Sequence, residues 1–233
     1  LDVSLTEKIE ECLEFLYKCE KEGKNIVRMS EVSKALEMSP SSTTSLLRKM
    51  ADMELVLYES YKGVRLTEKG RKIAKNVVRK HRLSERLLTD LLGMDWAEVH
   101  EHACRLEHAI SDKLADIIEE KLGYPETCPH GHPISGDDPP VPDVPLSEVE
   151  PPAEVEVTRI MDESPAFLRR LSSIGILPGS VISVEDRAPL GGALLVRVLD
   201  TDIAIGKDVA PKIRVRLLRG GHRHRHRHRW GWK

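Results

Sequence analysis

Apolar positions recur with a helical period through the first half of the chain and alternate as in strands over the last third. Leu5, Ile9, Cys12, Leu13, Leu16 and Tyr17 share one side of a helix over residues 4–22, which Gly23 ends. Glu7, Glu11, Glu14 and Lys18 lie opposite and read as a solvated face. A short helix over 30–36 follows, then a second opened by Ser39 as N-cap with Pro40 in the first turn. Two short helices joined tightly predict a helix-turn-helix, although the turn carries no glycine. Leu55–Tyr58 and Val64–Leu66 read as a hairpin around Tyr61-Lys62-Gly63. Helix, helix-turn-helix and hairpin in that order predict a winged helix over residues 1–76.

From Thr67 the pattern stays helical to about residue 122, with a break at Gly93. Asp95 and Glu98 form a capping box for a second helix that Gly123 ends. The leucines and isoleucines of this stretch suit a helical dimer interface or an intramolecular core. Prolines and acids over 124–152 predict a loop and then a flexible linker. Five short β-branched runs between 154 and 218, with one helix over 166–174, predict a small barrel of the SH3 type. The last residues alternate His and Arg, a composition that suits metal capture, nucleic-acid contact or disorder.

The 233 residues carry 36 Lys and Arg against 38 Asp and Glu, so net charge says little. Its distribution says more: the middle third is strongly acidic and both flanks are basic, as when a cation-binding module adjoins a polyanion-binding one. No apolar run reaches the roughly 20 residues that span a bilayer, and no signal peptide is evident. Four cysteines without paired spacing fit reduced thiols and a cytoplasmic location.

The candidate chemistry lies in HRLSERLLTDLLGMDWAEVHEHACRLEH, residues 81–108. His81 and Glu85 stand one turn apart, and His100, Cys104, Glu107 and His108 fall on one helical stripe. Imidazole, thiolate and carboxylate together suit iron, cobalt, nickel or zinc more than calcium. The competing reading is a polar helix face. Cys128, His130 and His132 also alternate, and a rigid structural turn accounts for them better than a closed tetrahedral site. A metal-dependent hydrolase is the competing functional class. It lacks support from a glycine-rich phosphate loop or a HExxH pair, and it leaves the winged helix without a purpose. An accessory protein of ferrous iron transport would account for residues 154–218 only.

The run RKHRLSERLLTDLLGMDWAEVHEHACRLEHAISD, followed by CPHGHPIS, resembles the diphtheria toxin repressor family of iron- and manganese-dependent transcriptional repressors, over nearly the whole chain. The resemblance implies a mainly α fold with a small β part. A winged helix-turn-helix (1–76) precedes a helical metal-binding and dimerisation domain (77–143), a Pro-rich linker (144–153), an SH3-like FeoA-type β-barrel (154–219) and a His/Arg-rich tail (220–233). It implies an ancillary metal site at His81, Glu85 and His100, and a primary site at Cys104, Glu107 and His108. The first-helix ligand is a methionine in iron-type members, and Glu11 stands in its place here, with Glu14 a turn later as in manganese-type members. Asp162 and Glu163 are the nearest matches to ligands donated by the SH3-like domain. Fe2+ is the expected corepressor, with Mn2+ second and Co2+, Ni2+ and Zn2+ as further ions that could bind in vitro. The expected protein is a non-enzymatic homodimer on double-stranded palindromic operator DNA, with no membrane or small-molecule substrate. Ser39, Pro40, Ser41, Ser42 and Ser45 would approach the groove, and Arg48 and Lys62 the phosphates. An intramolecular PxxP lock at Pro142-Asp143-Val144-Pro145 is weaker than a flexible tether, because residues 154–218 hold a single aromatic, Phe167.

Overall fold

In a computed structural model, residues 5–137, 142–189 and 192–218 are described; the His/Arg tail lies outside them. The chain divides into two units, before and after residue 140.

The first unit opens with α1 (Glu7–Lys21), α2 (Met29–Ala35) and α3 (Pro40–Asp52), then strands β1 (Val56–Glu59) and β2 (Gly63–Leu66). Ser39 caps α3 as expected, its hydroxyl accepting from the Ser42 amide at 3.2 Å with Pro40 in the first turn. Strands β1 and β2 pair antiparallel from Val56 with Leu66 to Glu59 with Gly63, making the wing. Leu13, Leu47, Met50 and Val64 are almost fully buried and join the three helices to the hairpin. Thr67 starts α4 (Glu68–Arg86), its hydroxyl accepting from the Gly70 amide. Gly70 is fixed by contact: a Cβ there would lie 1.9 Å from the Leu55 carbonyl oxygen, so only glycine lets α4 seat against the hairpin.

Helix α4 runs unbroken through the domain boundary expected at residue 76, so one rod carries both the winged-helix core and the acidic cluster described below. It continues as a π-helical turn over Leu87–Leu91, where the Leu92 amide bonds to the Leu87 carbonyl. The single helix expected from Asp95 to residue 122 is instead two, α5 (Val99–Leu106) and α6 (Asp112–Lys121). Asp95 caps the preceding turn through the Ala97 amide, while Ser111 caps α6 through the Leu114 amide. The Ser-Asp pair after Ile110 competes for backbone donors and starts a new helix where the apolar period alone would continue the old one.

The second unit holds β3 (Val144–Pro145), β4 (Ala153–Ile160), α7 (Pro165–Ser173), β5 (Val181–Arg187), β6 (Leu194–Val198), β7 (Thr201–Ile205) and β8 (Ile213–Leu217). All pairings are antiparallel, in the order β3-β8-β4-β5-β6-β7. Val155 and Val157 point inward in alternation on β4, Ile160 does so after a register shift, and Leu168 and Leu171 of α7 are buried as well.

Residues 144–153 are not the flexible linker expected. Val144 and Pro145 add a strand to β8, and the Asp143 carboxylate is held by Arg159 at 2.7 Å and Arg214 at 2.9 Å and accepts from Thr158. Arg187 donates to the carbonyls of Ser147 and Val149, both at 2.9 Å. The PxxP segment is therefore docked by strand addition and ion pairing, which need no aromatic groove.

Burial pushes the Asp143 carboxyl up, but the bonds from Arg159 and Thr158 outweigh it and hold it below the ordinary carboxylate value. A group lowered in this way stabilises the fold fully above its unfolded value, about 3.9, and loses that contribution as pH falls through the folded value. Asp143→Ala should therefore destabilise the second unit by about 2 kcal/mol at pH 7. Calorimetric scans should show the gap from wild type closing below about pH 4. An unchanged transition at pH 7 would show that the segment is not fastened this way.

Candidate metal centre

Helix α4 supplies His81, Ser84 and Glu85 to the interior, and α5 runs against it. His81 and Glu85 are one turn apart and point the same way, and both are nearly inaccessible. The His81 Nδ1 lies 2.5 Å from Glu107 Oε2 and its Nε2 lies 3.2 Å from Glu85 Oε1. A carboxylate at each ring nitrogen favours the charged, doubly donating form of His81. Burial alone would lower its pKa, but the Glu85 charge and the bonds to Cys104, Glu107 and Glu85 hold it well above the ordinary histidine value.

On one side of His81 stand the donors of α1 and α5. Glu14, Glu107 and His81 bring ligand atoms within 4.8 Å of one another, as do His81, His100 and Cys104. His108 Nδ1 lies 2.6 Å from Glu10 Oε2, and its Nε2 lies 3.5 Å from Glu107 Oε1. The Cys104 sulfur is 3.7 Å from His100 Nε2 and 4.0 Å from His81 Nδ1. Burial raises its pKa, but the bonds from those two imidazoles outweigh that and bring it down to about 7, a thiol ready to ionise. Burial and the nearby Glu14 charge raise the Glu107 carboxyl, although the His81 bond opposes them. For Glu14, burial is outweighed by Lys18 and the imidazoles, and the carboxyl is lowered.

On the other side lies a second donor set. Glu85, Cys128 and His130 are all buried with ligand atoms within 4.8 Å. Three imidazole nitrogens approach the same oxygen of Glu85: His81 Nε2, His130 Nδ1 at 3.2 Å and His100 Nδ1 at 3.7 Å. Burial is again outweighed, by the His81 charge and by the neighbouring His100 and His130 imidazoles, so the Glu85 carboxyl sits well below its ordinary value. Its other oxygen, Oε2, is buried without a hydrogen-bond partner among the described residues. His130 Nε2 donates to the Trp96 carbonyl at 2.9 Å, which turns Nδ1 toward Glu85. A histidine anchored by one nitrogen on a backbone carbonyl, with its other nitrogen beside a buried carboxylate whose second oxygen is unsatisfied, is the arrangement of a metal ligand. The donors present fit a divalent transition ion on both sides.

The expected residues divide accordingly. His81, Glu85, His100, Cys104, Glu107 and His108 are brought together. Glu11 is not: its carboxylate pairs with Lys8 at 2.6 Å and is a third exposed. Glu10 and Glu14, one turn apart, face α5 instead, and Glu14 is buried rather than solvated. Asp162 and Glu163 stand in the turn between β4 and α7, where Asp162 accepts from the Ser164 amide and pairs with Lys212 at 2.7 Å. Cys128 and His130, read in the sequence as a structural turn, carry the second donor set. Their partner Glu85 is far away along the chain, so spacing alone could not reveal it. Ser39, Pro40, Ser41, Ser42, Ser45 and Arg48 are exposed along one end of α3, and Lys62 is exposed on the wing beside Glu59.

A winged helix carrying paired sets of soft and hard donors is the make-up of a metal-responsive DNA-binding regulator. Comparison with known proteins agrees. Residues 4–64 match the N-terminal DNA-binding domain of iron-dependent repressors, residues 67–136 their metal-binding and dimerisation domain, and residues 144–217 the FeoA domain. The diphtheria toxin repressor of Corynebacterium diphtheriae is 32% identical over 205 residues, 88% of this chain and 84% of that protein. The iron-dependent repressor IdeR of Mycobacterium tuberculosis is 30% identical over 226 residues, covering 91% and 97%. Among solved structures, a manganese-dependent transcriptional repressor in complex with manganese superposes with a TM-score of 0.79 at 33% identity, covering 89% of this chain and all of that one. IdeR of T. acidophilum gives 0.72 at 28% identity, covering 92% and 99%. The chain belongs to the iron-dependent repressor family of metal-dependent transcriptional repressors. No helix among the described residues is long and apolar enough to cross a membrane.

Both Glu85 and Glu107 lean on His81. His81→Leu, unfolded by urea with a chelator present, should lose about 3–5 kcal/mol, because two buried carboxylates would lose the imidazole they share. A loss below about 1 kcal/mol would mean that this imidazole does not hold the carboxylates together.

Proposed function

We propose that this chain is a cytoplasmic homodimer that grips a palindromic operator when Fe(II) fills its donor sets, with Mn(II) the second candidate. One observation carries the reading: Glu14 of α1, inside the DNA-binding fold, converges on Glu107 and His81 of the dimerisation helices. A bound divalent cation would supply the positive charge that lets these carboxylates, the thiolate and the imidazoles share one centre.

The first set would comprise Glu14 and Glu107, which converge beside His81, with His108 next to Glu107 and Cys104 joined through His81 and His100. Glu10 is held against His108, and Glu11 points away to Lys8. Glu85, His100, Cys128 and His130 form the second, and His81 stands between the two. Carboxylates beside a single thiolate favour ferrous and manganous ions over softer ones. By holding α1 against α5, the first set fixes where α3 points. Two copies of α3 then meet successive major grooves about 34 Å apart. Leu91, Leu92, Leu114 and Ile117 are 43–67% exposed on the π turn and α6, an apolar face suited to the dimer contact.

On α3 the hydroxyls of Ser39, Ser41, Ser42 and Ser45 are exposed along the first turns of the helix, where they can reach phosphate oxygens and base edges. Arg48 adds a phosphate contact. Lys62 is paired with Glu59, but both are mostly exposed, so the pair yields readily to a phosphate.

Selection of sites from a random duplex pool, with anaerobic Fe(II) or Mn(II), should enrich a palindrome. Cys104→Ala combined with His108→Ala should lower metal-dependent affinity for it by about a hundredfold. Affinity should also fall steeply with salt. Equal binding by wild type with metal and with chelator would overturn the sensing role.

A further inference from the structure

The segment after α6 forms a closed loop across the first unit. Thr127 bridges Pro133, and the Cys128 amide bonds to the His132 carbonyl at 2.8 Å. Arg86 Nε donates to the Thr127 carbonyl at 2.6 Å and Arg82 to the Pro133 carbonyl, fastening the loop along α4. Ile134, 2% exposed, packs with Leu83 and Ile110. One end of the loop carries Cys128 and His130 into the Glu85 donor set.

The other end reaches α1. The Tyr17 hydroxyl donates to the Gly136 carbonyl at 2.8 Å, and Tyr17 is only 3% exposed. Next to it, Lys75 Nζ donates to both carboxylate oxygens of Asp137, at 2.8 and 2.7 Å. Gly136 has φ +76°, and a Cβ there would lie 3.2 Å from Lys75 Cγ and 3.7 Å from the Tyr17 ring. Tyr17 follows Glu14 by one helical turn.

We propose that the Tyr17–Gly136 hydrogen bond is a latch through which occupancy of the Glu85 donor set positions α1, so that Tyr17 is a positioning residue for the metal response and not a ligand. The proposal rests on the donor-set reading above. Packing alone would be served by a phenylalanine ring, whereas the buried hydroxyl has to find a partner, and it finds one on the loop. When Cys128 and His130 are drawn to a cation beside Glu85, the loop between His130 and Gly136 stiffens, and the latch passes that order to the helix bearing Glu10 and Glu14. The first donor set then assembles on a helix already in place, which is positive cooperativity between the two sets.

The test is hydrogen–deuterium exchange of the full-length protein titrated with Mn(II), following one peptide over residues 126–134 and another over 7–20. In wild type both should slow over the same range of Mn(II). In Tyr17→Phe the loop should respond as before, while the Mn(II) needed to slow α1 should rise roughly twofold to tenfold, the worth of one buried hydrogen bond. Asp137→Asn, which loosens the exposed Lys75 pair without touching the core, should shift α1 in the same direction by a smaller factor and stands in should Tyr17→Phe fold poorly. If α1 and the loop keep one common midpoint in both variants, the latch is wrong. If Mn(II) leaves residues 126–134 unchanged in wild type, the second donor set itself is wrong and the latch falls with it.

Discussion

The first unit depends on an imidazole buried between acids. His81 has a carboxylate at each ring nitrogen, and that surrounding favours its charged form, which eases the approach of Glu85 and Glu107 in a buried volume. Glu14 reaches the same cluster from α1 with Lys18 beside it. A divalent ion at this place would bring more charge to the same volume and could engage lone pairs left unused, such as those of Glu85 Oε2. Burial among acids thus makes the cluster a place that favours cations.

Helix α4 makes that local chemistry matter at a distance. Its first turns seat against the hairpin through Gly70, it packs on α1, and its last two turns hold His81 and Glu85. Helix α4 runs without a hinge between the winged-helix core and the cluster, and α1 and the 124–137 loop bring further donors to it. Metal response in such an arrangement needs only small movements of those two pieces, because packed interiors shift between discrete arrangements and do not stretch.

Most of the architecture was legible in the chain because period, caps and turn residues agreed with one another. The Ser39-Pro40 start of α3, the wing and the strands of the second unit lie within a residue or two of where pattern placed them. The site was legible along single helices: the stripe of His100, Cys104, Glu107 and His108 follows from helical spacing. What pattern could not supply was contact between elements. Glu10, Glu11 and Glu14 look alike in the sequence, and only the packing of α1 on its neighbours turns Glu14 inward and leaves Glu11 with Lys8. Cys128 and His130 looked like a turn because their third partner belongs to another helix. Residues 144–153 looked like a tether because proline and acid are also what a docked edge strand with a buried Asp143 requires.

The π-helical turn after Glu85 has a consequence for how this fold tolerates change. Five residues per closing bond, where a regular turn takes four, offset every later side chain by about 100° around the axis. That offset lets Glu85 look inward while Leu91 and Leu92 look out. Removing a single residue between 87 and 91 would restore ordinary winding and rotate Leu91 and Leu92 away from their outward direction. The outward direction of these leucines therefore depends on the number of residues in this short stretch as well as on their identity.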